Sequence, residues 1–286
     1  MPRQHRVLLL SSASMAVCGC NAQTPGGSAA DAGHSLDAAQ LEPRPDAGDA
    51  EPTGDATWQP LFNGVDFSGW NRYLGKPSDA EPPLGLDNDT RGVYSIVSID
   101  GEPAIRISGE VWGALISEQE LGDFVLRAQY RWGELTWPPL NALDSGIMYL
   151  STGPLGAVNA GGEALSEPSG SGAFMVSMEY QLSPRDIGGI YNLGPIAYER
   201  SSRTALADRA AAWNQVEISV QSGTARHFLN GELVASGSTF RLNWPGQTAT
   251  VLERGKLQLQ SEGGEIYFRH IELSVPRSAT DEGTGY

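Results

Sequence analysis

Cysteine is scarce in this chain of 286 residues, which has two, Cys18 and Cys20, both near the start. The rest of the chain can therefore form neither a disulfide nor a thiolate metal site. Long apolar runs are also missing: no stretch approaches the roughly 20 residues of a membrane-spanning helix, which excludes a polytopic membrane protein. Basic residues are few as well: the chain has 19 Lys and Arg against 34 Asp and Glu, which gives a formal net charge of −15. Phosphate would be repelled, so we expect no nucleic-acid partner.

Several catalytic motifs are missing too. Beyond the N-terminal region and its tether, histidine occurs only at positions 227 and 270, which are not spaced as metal ligands. The glycine-rich stretches lack the lysine of a phosphate-binding loop, and there is no Gly-x-Ser-x-Gly elbow. A histidine metal site, a nucleotide phosphate loop and an elbow-type serine hydrolase are therefore not expected.

The first twenty residues have the pattern of an export signal. Arg3 and Arg6 precede an apolar stretch over residues 7–17, and small residues then lead to Val-Cys-Gly-Cys. This tetrapeptide resembles the bacterial lipobox, which implies a lipoprotein signal peptide over residues 1–19 and a lipid on Cys20. An ordinary signal peptide is the alternative. We expect the N-terminal lipid to hold the protein at the membrane of the cell envelope, on the outer membrane or periplasmic face, which fatty-acid labelling of cells would test.

Composition divides the remaining chain into three parts. Residues 20–57 are rich in Ala, Asp, Gly and Pro and carry seven acids against one base, which predicts an acidic disordered tether. Residues 58–276 contain almost all the β-branched and aromatic residues and form the predicted folded domain. Residues 277–286 are small and polar and predict a loose tail.

Short apolar segments separated by Gly, Pro, Asn and Asp predict an all-β domain, a two-sheet jelly-roll sandwich. Turns are indicated at Asn230-Gly231 and at Gly263-Gly264, and a short helix at residues 204–212. The predicted strands are Val93–Ile99, Ala104–Ser108, Ala114–Ser117, Phe124–Trp132, Gly146–Leu150, Phe174–Leu182, Gln215–Gln221, Ala225–Leu229, Glu232–Ala235, Lys256–Gln260 and Glu265–Val275.

The segment from Phe174 to Leu182 is the most informative, because alternation puts Glu179 and Gln181 on one polar face, roughly 7 Å apart. Gln260 lies on a similar polar face of a later strand, and Glu262 follows at its end. If the two strands are neighbours, their polar faces form the floor of a groove that suits the hydroxyl groups of a sugar. A solvated strand face is the simpler alternative.

Other residues complete the candidate site. Asp144 supplies a second carboxylate near Gly146, and a glycine lets other parts of the chain come close. The alternative is that this segment is only a turn that leads into a strand. Trp132 could stack on a sugar ring, or belong to the core. Tyr191 is a further candidate for substrate binding. No spacing requires a metal, and a divalent cation on the carboxylates Asp144, Glu179 and Glu262 stays an open alternative.

A series of short motifs runs in order across most of residues 60–275. The first is Leu-Phe-Asn-Gly-Val-Asp-Phe-Ser-Gly-Trp at residues 61–70, and among the others are Asp-Ser-Gly-Ile-Met-Tyr at 144–149, Ser-Met-Glu-Tyr-Gln at 177–181 and Leu-Gln-Ser-Glu-Gly at 259–263. These motifs resemble those of the 3-keto-disaccharide hydrolase domain, known as domain of unknown function 1080, and the first is similar to its opening motif. The resemblance implies a concanavalin A-like fold and activity on glycosides that carry a ketone at C3.

On such a substrate the ketone acidifies the C2 proton, so one general base suffices to start elimination at C1, and water then adds. We predict Glu179 as this base, because its carboxylate lies on the polar face of a strand whose other face is core, where partial desolvation would raise its pKa. Gln181 and Gln260 would hold sugar hydroxyls or the enolate oxygen, and Asp144 and Glu262 are the further candidates for an acid or an orienting group. The family often has His or Arg where this chain has Leu150. The alternative function is therefore a lectin-like carbohydrate-binding protein without turnover.

Overall fold

The computed structural model describes residues 57–159, 162–165, 172–209 and 211–275. The predicted signal peptide, Cys20, the tether up to residue 56 and the tail lie outside these residues. Within them, all regular secondary structure is β-strand. The strands are β1 (Gln59–Pro60), β2 (Trp70–Leu74), β3 (Gly85–Leu86), β4 (Tyr94–Ile99), β5 (Glu102–Ile107), β6 (Gly113–Ser117), β7 (Phe124–Thr136), β8 (Ser145–Thr152), β9 (Val176–Leu182), β10 (Ile190–Leu193), β11 (Ile196–Arg203), β12 (Asn214–Gln221), β13 (Thr224–Leu229), β14 (Glu232–Leu242), β15 (Thr250–Val251), β16 (Lys256–Ser261) and β17 (Gly264–Ser274).

Two antiparallel sheets form a jelly-roll sandwich, as the alternation predicts. The ten-stranded sheet has the order β11-β14-β13-β12-β7-β17-β5-β4, with β1 added beside β17 and β15 beside β14. The seven-stranded sheet has the order β10-β9-β8-β16-β6-β2-β3. Strands distant in sequence are therefore neighbours in space, and β8, β9 and β16 lie together at one side of the smaller sheet.

Aromatic and branched side chains from both sheets fill the space between them. Tyr130 and Phe268 from the larger sheet are fully buried, as are Tyr149 and Tyr180 from the smaller one. Burying a side chain of this kind contributes about 1.5–3 kcal/mol each. His227 on β13 is also fully buried among them, and its ring nitrogens lie 3.0 Å from the Gly188 carbonyl and 3.1 Å from the Tyr149 hydroxyl.

The local sequence signals have mixed outcomes. The Asn230-Gly231 turn is confirmed: φ is 51° at Asn230 and 88° at Gly231, as a two-residue hairpin of this type requires. The turn between β16 and β17 is formed by Glu262-Gly263, one residue earlier than predicted. The helix predicted at residues 204–212 is wrong, because the described residues of this segment have no helical structure.

The described part of the chain contains no helix that is long and apolar enough to span a membrane.

Candidate active site

The side chains of β9 alternate between the two faces of the seven-stranded sheet. Tyr180 points to the ten-stranded sheet, where its hydroxyl donates to the Phe228 carbonyl at 3.2 Å. Because successive side chains on a strand point to opposite faces, Glu179 and Gln181 lie on the outer face of the smaller sheet. The predicted carboxylate and amide therefore share one face of one strand.

Strand β8 separates β9 from β16, so these two strands are not direct neighbours, which was the condition for a groove floor formed by the pair alone. Their side chains meet nonetheless, because β8 carries Gly146 at this level, opposite Gln181. A Cβ atom at residue 146 would collide with Glu179 Oε1 and would lie 2.8 Å from Gln260 Oε1. Glu179 and Gln260 thus approach each other over a backbone that only glycine leaves uncovered.

Three carboxyl groups meet at this end of the sheet, and we call them the carboxylate cluster: Asp144 just before β8, Glu179 on β9 and Glu262 after β16. Each of them interacts electrostatically with the other two. The start of β17 packs directly against the chain before β8, since a Cβ atom at Gly264 would lie 2.6 Å from the Asp144 amide nitrogen. This contact brings the turn that carries Glu262 next to Asp144.

The pKa values of the carboxylate cluster are all raised. Burial raises the pKa of Glu179 to about 8, the charge of Asp144 adds to the increase, and a hydrogen bond from the Gln260 side chain opposes it. Burial raises the pKa of Asp144 to about 6, although a hydrogen bond that its carboxylate accepts from the Ser145 backbone amide and the charge of Arg185 act in the opposite direction. Burial, with the charges of the other two, raises the pKa of Glu262 well above its ordinary range. The cluster therefore holds protons near neutral pH, as acid and base catalysis requires.

Four buried oxygen atoms of this site have no hydrogen-bond partner among the described residues. They are Asp144 Oδ1, Glu179 Oε1, Gln181 Oε1 and Gln260 Oε1. A buried polar atom without a partner costs about 1–3 kcal/mol. All four are oxygen atoms that can accept hydrogen bonds, so a ligand with several hydroxyl donors would satisfy them.

The open alternative of a divalent cation finds no support in the geometry. No group of three or more His, Cys, Asp or Glu side chains in the described ranges is arranged to hold a metal ion, and this includes the carboxylate cluster.

Tyr191 lies beside the carboxylate cluster, because it is the direct partner of Glu179 across the β9–β10 pair. Its side chain is 38% exposed, and its hydroxyl donates to Asp186. The Arg200 guanidinium lies 5.6 Å from the centre of its ring. Tyr191 is therefore placed at the edge of the site, with a fixed hydroxyl and an exposed ring.

Trp132 and Leu150 lie elsewhere. Trp132 is on β7 of the ten-stranded sheet, is 9% exposed and donates from its indole nitrogen to Asp208 at 2.8 Å. It packs into the core, which is the alternative to stacking on a sugar ring that the sequence left open for it. Leu150, in a β-bulge with φ of 51°, is 1% exposed and belongs to the hydrophobic core. Position 150 thus presents no side chain to an open groove.

Arg185 is the residue of this site that sequence reasoning missed. It is exposed in the loop between β9 and β10, and its charge lowers the pKa of Asp144. Its position four residues after Gln181 could have indicated it, because a short loop between two paired strands stays at the end of the sheet where the first strand ends.

The profile of the 3-keto-alpha-glucoside-1,2-lyase-like domain matches residues 57–274 of the chain. The chain belongs to this family. The resemblance drawn from the motifs is thereby confirmed, and the matched range covers all the site residues on the folded domain. No curated protein matches the chain by sequence.

Solved structures with similar folds are distant in sequence. A proposed glycosyl hydrolase from Parabacteroides distasonis is 17% identical, and the match covers 77% of this chain and 94% of that one with a TM-score of 0.46. A Bacillus subtilis protein with a galectin-like fold is 12% identical, and the match covers 77% of this chain and 96% of that one, also with a TM-score of 0.46.

The raised pKa of Glu179 predicts a pH dependence of stability. The folded state binds the Glu179 proton more tightly than the unfolded chain does. The contribution of this proton to the free energy of unfolding is therefore fully present below about pH 4.5 and is lost as the pH rises towards 8. Each tenfold difference in proton affinity is worth about 1.4 kcal/mol. Glu179→Gln cannot ionise and should therefore match the wild type at pH 4 but melt at least about 4 °C higher at pH 9.

Thermal unfolding at the two pH values measures this difference. Glu232→Gln, which replaces an exposed glutamate on β14, is the matched control and should follow the wild type at both. Equal melting temperatures of Glu179→Gln and the wild type at pH 9 would contradict the prediction.

Proposed function

We propose that this domain cleaves 3-keto-glycosides by elimination and hydration. The observation that carries the proposal is the Glu179 carboxyl group, which is 6% exposed, has a pKa raised to about 8 and lies over Gly146 with one oxygen unpaired. A base for a C2 proton needs this combination of a pKa near the working pH and a free, desolvated oxygen. The choice of 3-keto-glycosides as substrates is supported by the family to which the chain belongs.

The proposed reaction begins with proton abstraction. Glu179 takes the proton from C2, and the electron pair of the broken C–H bond forms a C2–C3 double bond while the C3 oxygen becomes an enolate. We assign the side-chain NH₂ groups of Gln181 and Gln260 to donate hydrogen bonds to this oxygen. The protonated form of Asp144 or Glu262 then gives its proton to the leaving oxygen at C1.

Elimination and hydration complete the reaction. As the enolate returns to a ketone, its electron pair forms a C1–C2 double bond and the bond from C1 to the leaving oxygen breaks. Water then adds: its hydroxyl joins C1, a proton returns to C2, and the carboxyl that gave up its proton regains one. The sum is hydrolysis of the glycosidic bond, with the ketone preserved and one water consumed.

A pair of substrates tests this proposal. The purified chain should release the C1 group from methyl 3-keto-α-glucoside and should leave methyl α-glucoside, which lacks the ketone, uncleaved. In D₂O the released 3-keto sugar should carry deuterium at C2, because the proton there exchanges during the reaction. Cleavage of both substrates at similar rates, or cleavage without deuterium at C2, would exclude the elimination route.

A carbohydrate-binding protein without turnover is the second candidate. The four unpaired acceptor atoms favour it equally, because they would bind sugar hydroxyls whether or not a bond breaks. Binding of the 3-keto-glucoside without release of the C1 group identifies this case.

A further inference from the structure

Three arginine side chains lie near Tyr191 at the edge of the carboxylate cluster, and we call them the arginine rim: Arg185, Arg200 and Arg203. Arg185 precedes Asp186, whose carboxylate accepts hydrogen bonds from the Tyr191 hydroxyl and from Arg203. The Arg200 guanidinium lies 5.6 Å from the centre of the Tyr191 ring. Positive charge therefore borders the site on this side, although the formal net charge of the whole chain is −15.

The guanidinium group of Arg200 is held in place through one of its nitrogen atoms. Nη2 donates to the Ile190 carbonyl at 2.8 Å and to the Tyr198 hydroxyl at 2.9 Å. The Tyr198 hydroxyl itself donates to the same Ile190 carbonyl at 2.8 Å. Because Ile190 precedes Tyr191 on β10, these bonds attach Arg200, on β11 of the ten-stranded sheet, to the strand that pairs with Glu179.

The other donors of the Arg200 guanidinium are free. Nε and Nη1 donate to no described residue, and neither Arg200 nor Arg185 forms an ion pair with a described residue, whereas Arg203 pairs with Asp186. A guanidinium presents its N–H donors as a planar fork that matches two oxygens of a carboxylate, sulfate or phosphate. Since Arg200 is exposed, its fixed fork is available to an anion from solution.

A short path leads from the carboxylate cluster to Arg200. Tyr191 is the direct partner of Glu179 across the β9–β10 pair, and directly paired residues place their side chains on the same face of the sheet. Neighbouring strands lie about 4.8 Å apart. Arg200 is a further 5.6 Å from the Tyr191 ring. A sugar ring held at Glu179 therefore reaches Arg200 with one exocyclic group across Tyr191.

The charge state of the cluster suits an anionic substrate. The raised pKa values of Glu179 and Glu262 keep these groups largely protonated near neutral pH, so they do not repel a nearby anion. The positive charge of Arg185 offsets the charge of Asp144, whose pKa it lowers. Repulsion by the three carboxyl groups is thereby reduced on the side where the arginine rim lies.

We infer that Arg200 binds an oxyanion on the sugar ring that carries the ketone, either the carboxylate of a uronic acid or a sulfate ester. The inference rests on the proposed function, which places C2 of this ring at Glu179. C5 lies opposite C2 in a six-membered sugar ring, so a carboxylate or sulfate at C6 projects away from Glu179, over Tyr191 and towards Arg200. The domain is therefore selective for 3-keto-glycosides that carry an oxyanion at C6.

Two substrates that differ only at C6 test this inference: methyl 3-keto-α-glucuronide and methyl 3-keto-α-glucoside. The wild type should have a kcat/KM at least about tenfold higher for the glucuronide, because the charged group adds a charge-assisted hydrogen bond. Raising the ionic strength from about 0.01 M to about 1 M should lower the value for the glucuronide alone, since it shortens the Debye length from about 30 Å to about 3 Å. Methyl 3-keto-α-glucoside 6-sulfate distinguishes the two oxyanions, because the better substrate of the two identifies the one that the site takes.

Variants of Arg200 separate binding of the oxyanion from a structural role. Arg200→Gln should lower kcat/KM for the glucuronide about tenfold and change it for the glucoside by less than about twofold. Arg200→Lys keeps the charge but loses the fork, and its kcat/KM for the glucuronide should lie between those of the wild type and Arg200→Gln. Arg241→Gln is the matched control: it removes another exposed arginine, on β14, and should leave kcat/KM for both substrates unchanged.

Equal kcat/KM values of the wild type for the anionic and the neutral substrates would overturn this inference and leave the proposed function intact. An equal loss for both substrates in Arg200→Gln would also overturn it, because a role limited to fastening β11 to β10 has that effect. If the wild type cleaves none of the three substrates, the proposed function fails and this inference falls with it.

Discussion

Glu179→Gln is expected to lower the turnover of a 3-keto-glycoside by about 10²–10⁴-fold while the substrate still binds. Glutamine keeps the shape and the hydrogen-bonding edge of the side chain but cannot accept the C2 proton. General acid and base catalysis contributes this range of rate enhancement. The amide that replaces the carboxylate still faces Gly146, so contacts to sugar hydroxyls persist. KM should therefore change by less than about fivefold.

Single-turnover kinetics with methyl 3-keto-α-glucoside, together with its deuterium exchange at C2 in D₂O, measure the effect. Exchange should fall in parallel with turnover, because both need the same proton transfer. Asp144→Asn and Glu262→Gln isolate the other two carboxyl groups and should slow departure of the C1 group more than they slow exchange. If Glu179→Gln retains turnover and Asp144→Asn abolishes exchange, the base is Asp144 and the assignment is wrong.

The fold follows from the sequence where a local pattern decides the structure. The alternation of β9 correctly separates Glu179 from Tyr180, because a strand with one buried face admits only one register. Asn230-Gly231 specifies its hairpin through two residues with positive φ. Thr204–Ala212 shows the limit: its alanines favour a helix locally, but the segment has no helical structure in its described residues.

The order of strands is not a local property, so the sequence left open whether β16 lies beside β9. β8 pairs with both β9 and β16. Its pairing with β16 joins segments that are about a hundred residues apart in the chain, and no short-range sequence pattern encodes such a pairing. The same limit applies to Trp132, since alternation gives its face within β7 but not which sheet β7 joins. The sequence could single out Asp144, Glu179 and Glu262 as candidates because each lies on or next to a strand with a recognisable motif, whereas Arg185 lies in a loop without one.

Gly146 has the second large expected effect, because Gly146→Ala places a methyl group where the Glu179 and Gln260 side chains meet. The added Cβ would overlap Glu179 Oε1 and lie 2.8 Å from Gln260 Oε1, so both side chains must move. A displacement of about 1 Å at a catalytic group can cost about 100-fold in rate. We therefore expect kcat/KM for methyl 3-keto-α-glucoside to fall by at least about 100-fold, although every carboxyl group of the cluster is still present.

The comparison with Gly122→Ala separates this effect from a general loss of stability. Gly122 has only the Glu253 carbonyl oxygen, at 3.9 Å, near the place of an added Cβ, so alanine fits there and activity should stay at the wild-type level. Overpacking at Gly146 should lower the free energy of unfolding by about 1–3 kcal/mol, which thermal unfolding measures and which leaves the domain folded at 25 °C. A folded Gly146→Ala variant with near wild-type kcat/KM would show that the meeting of Glu179 and Gln260 over residue 146 is not the place where the 3-keto ring reacts.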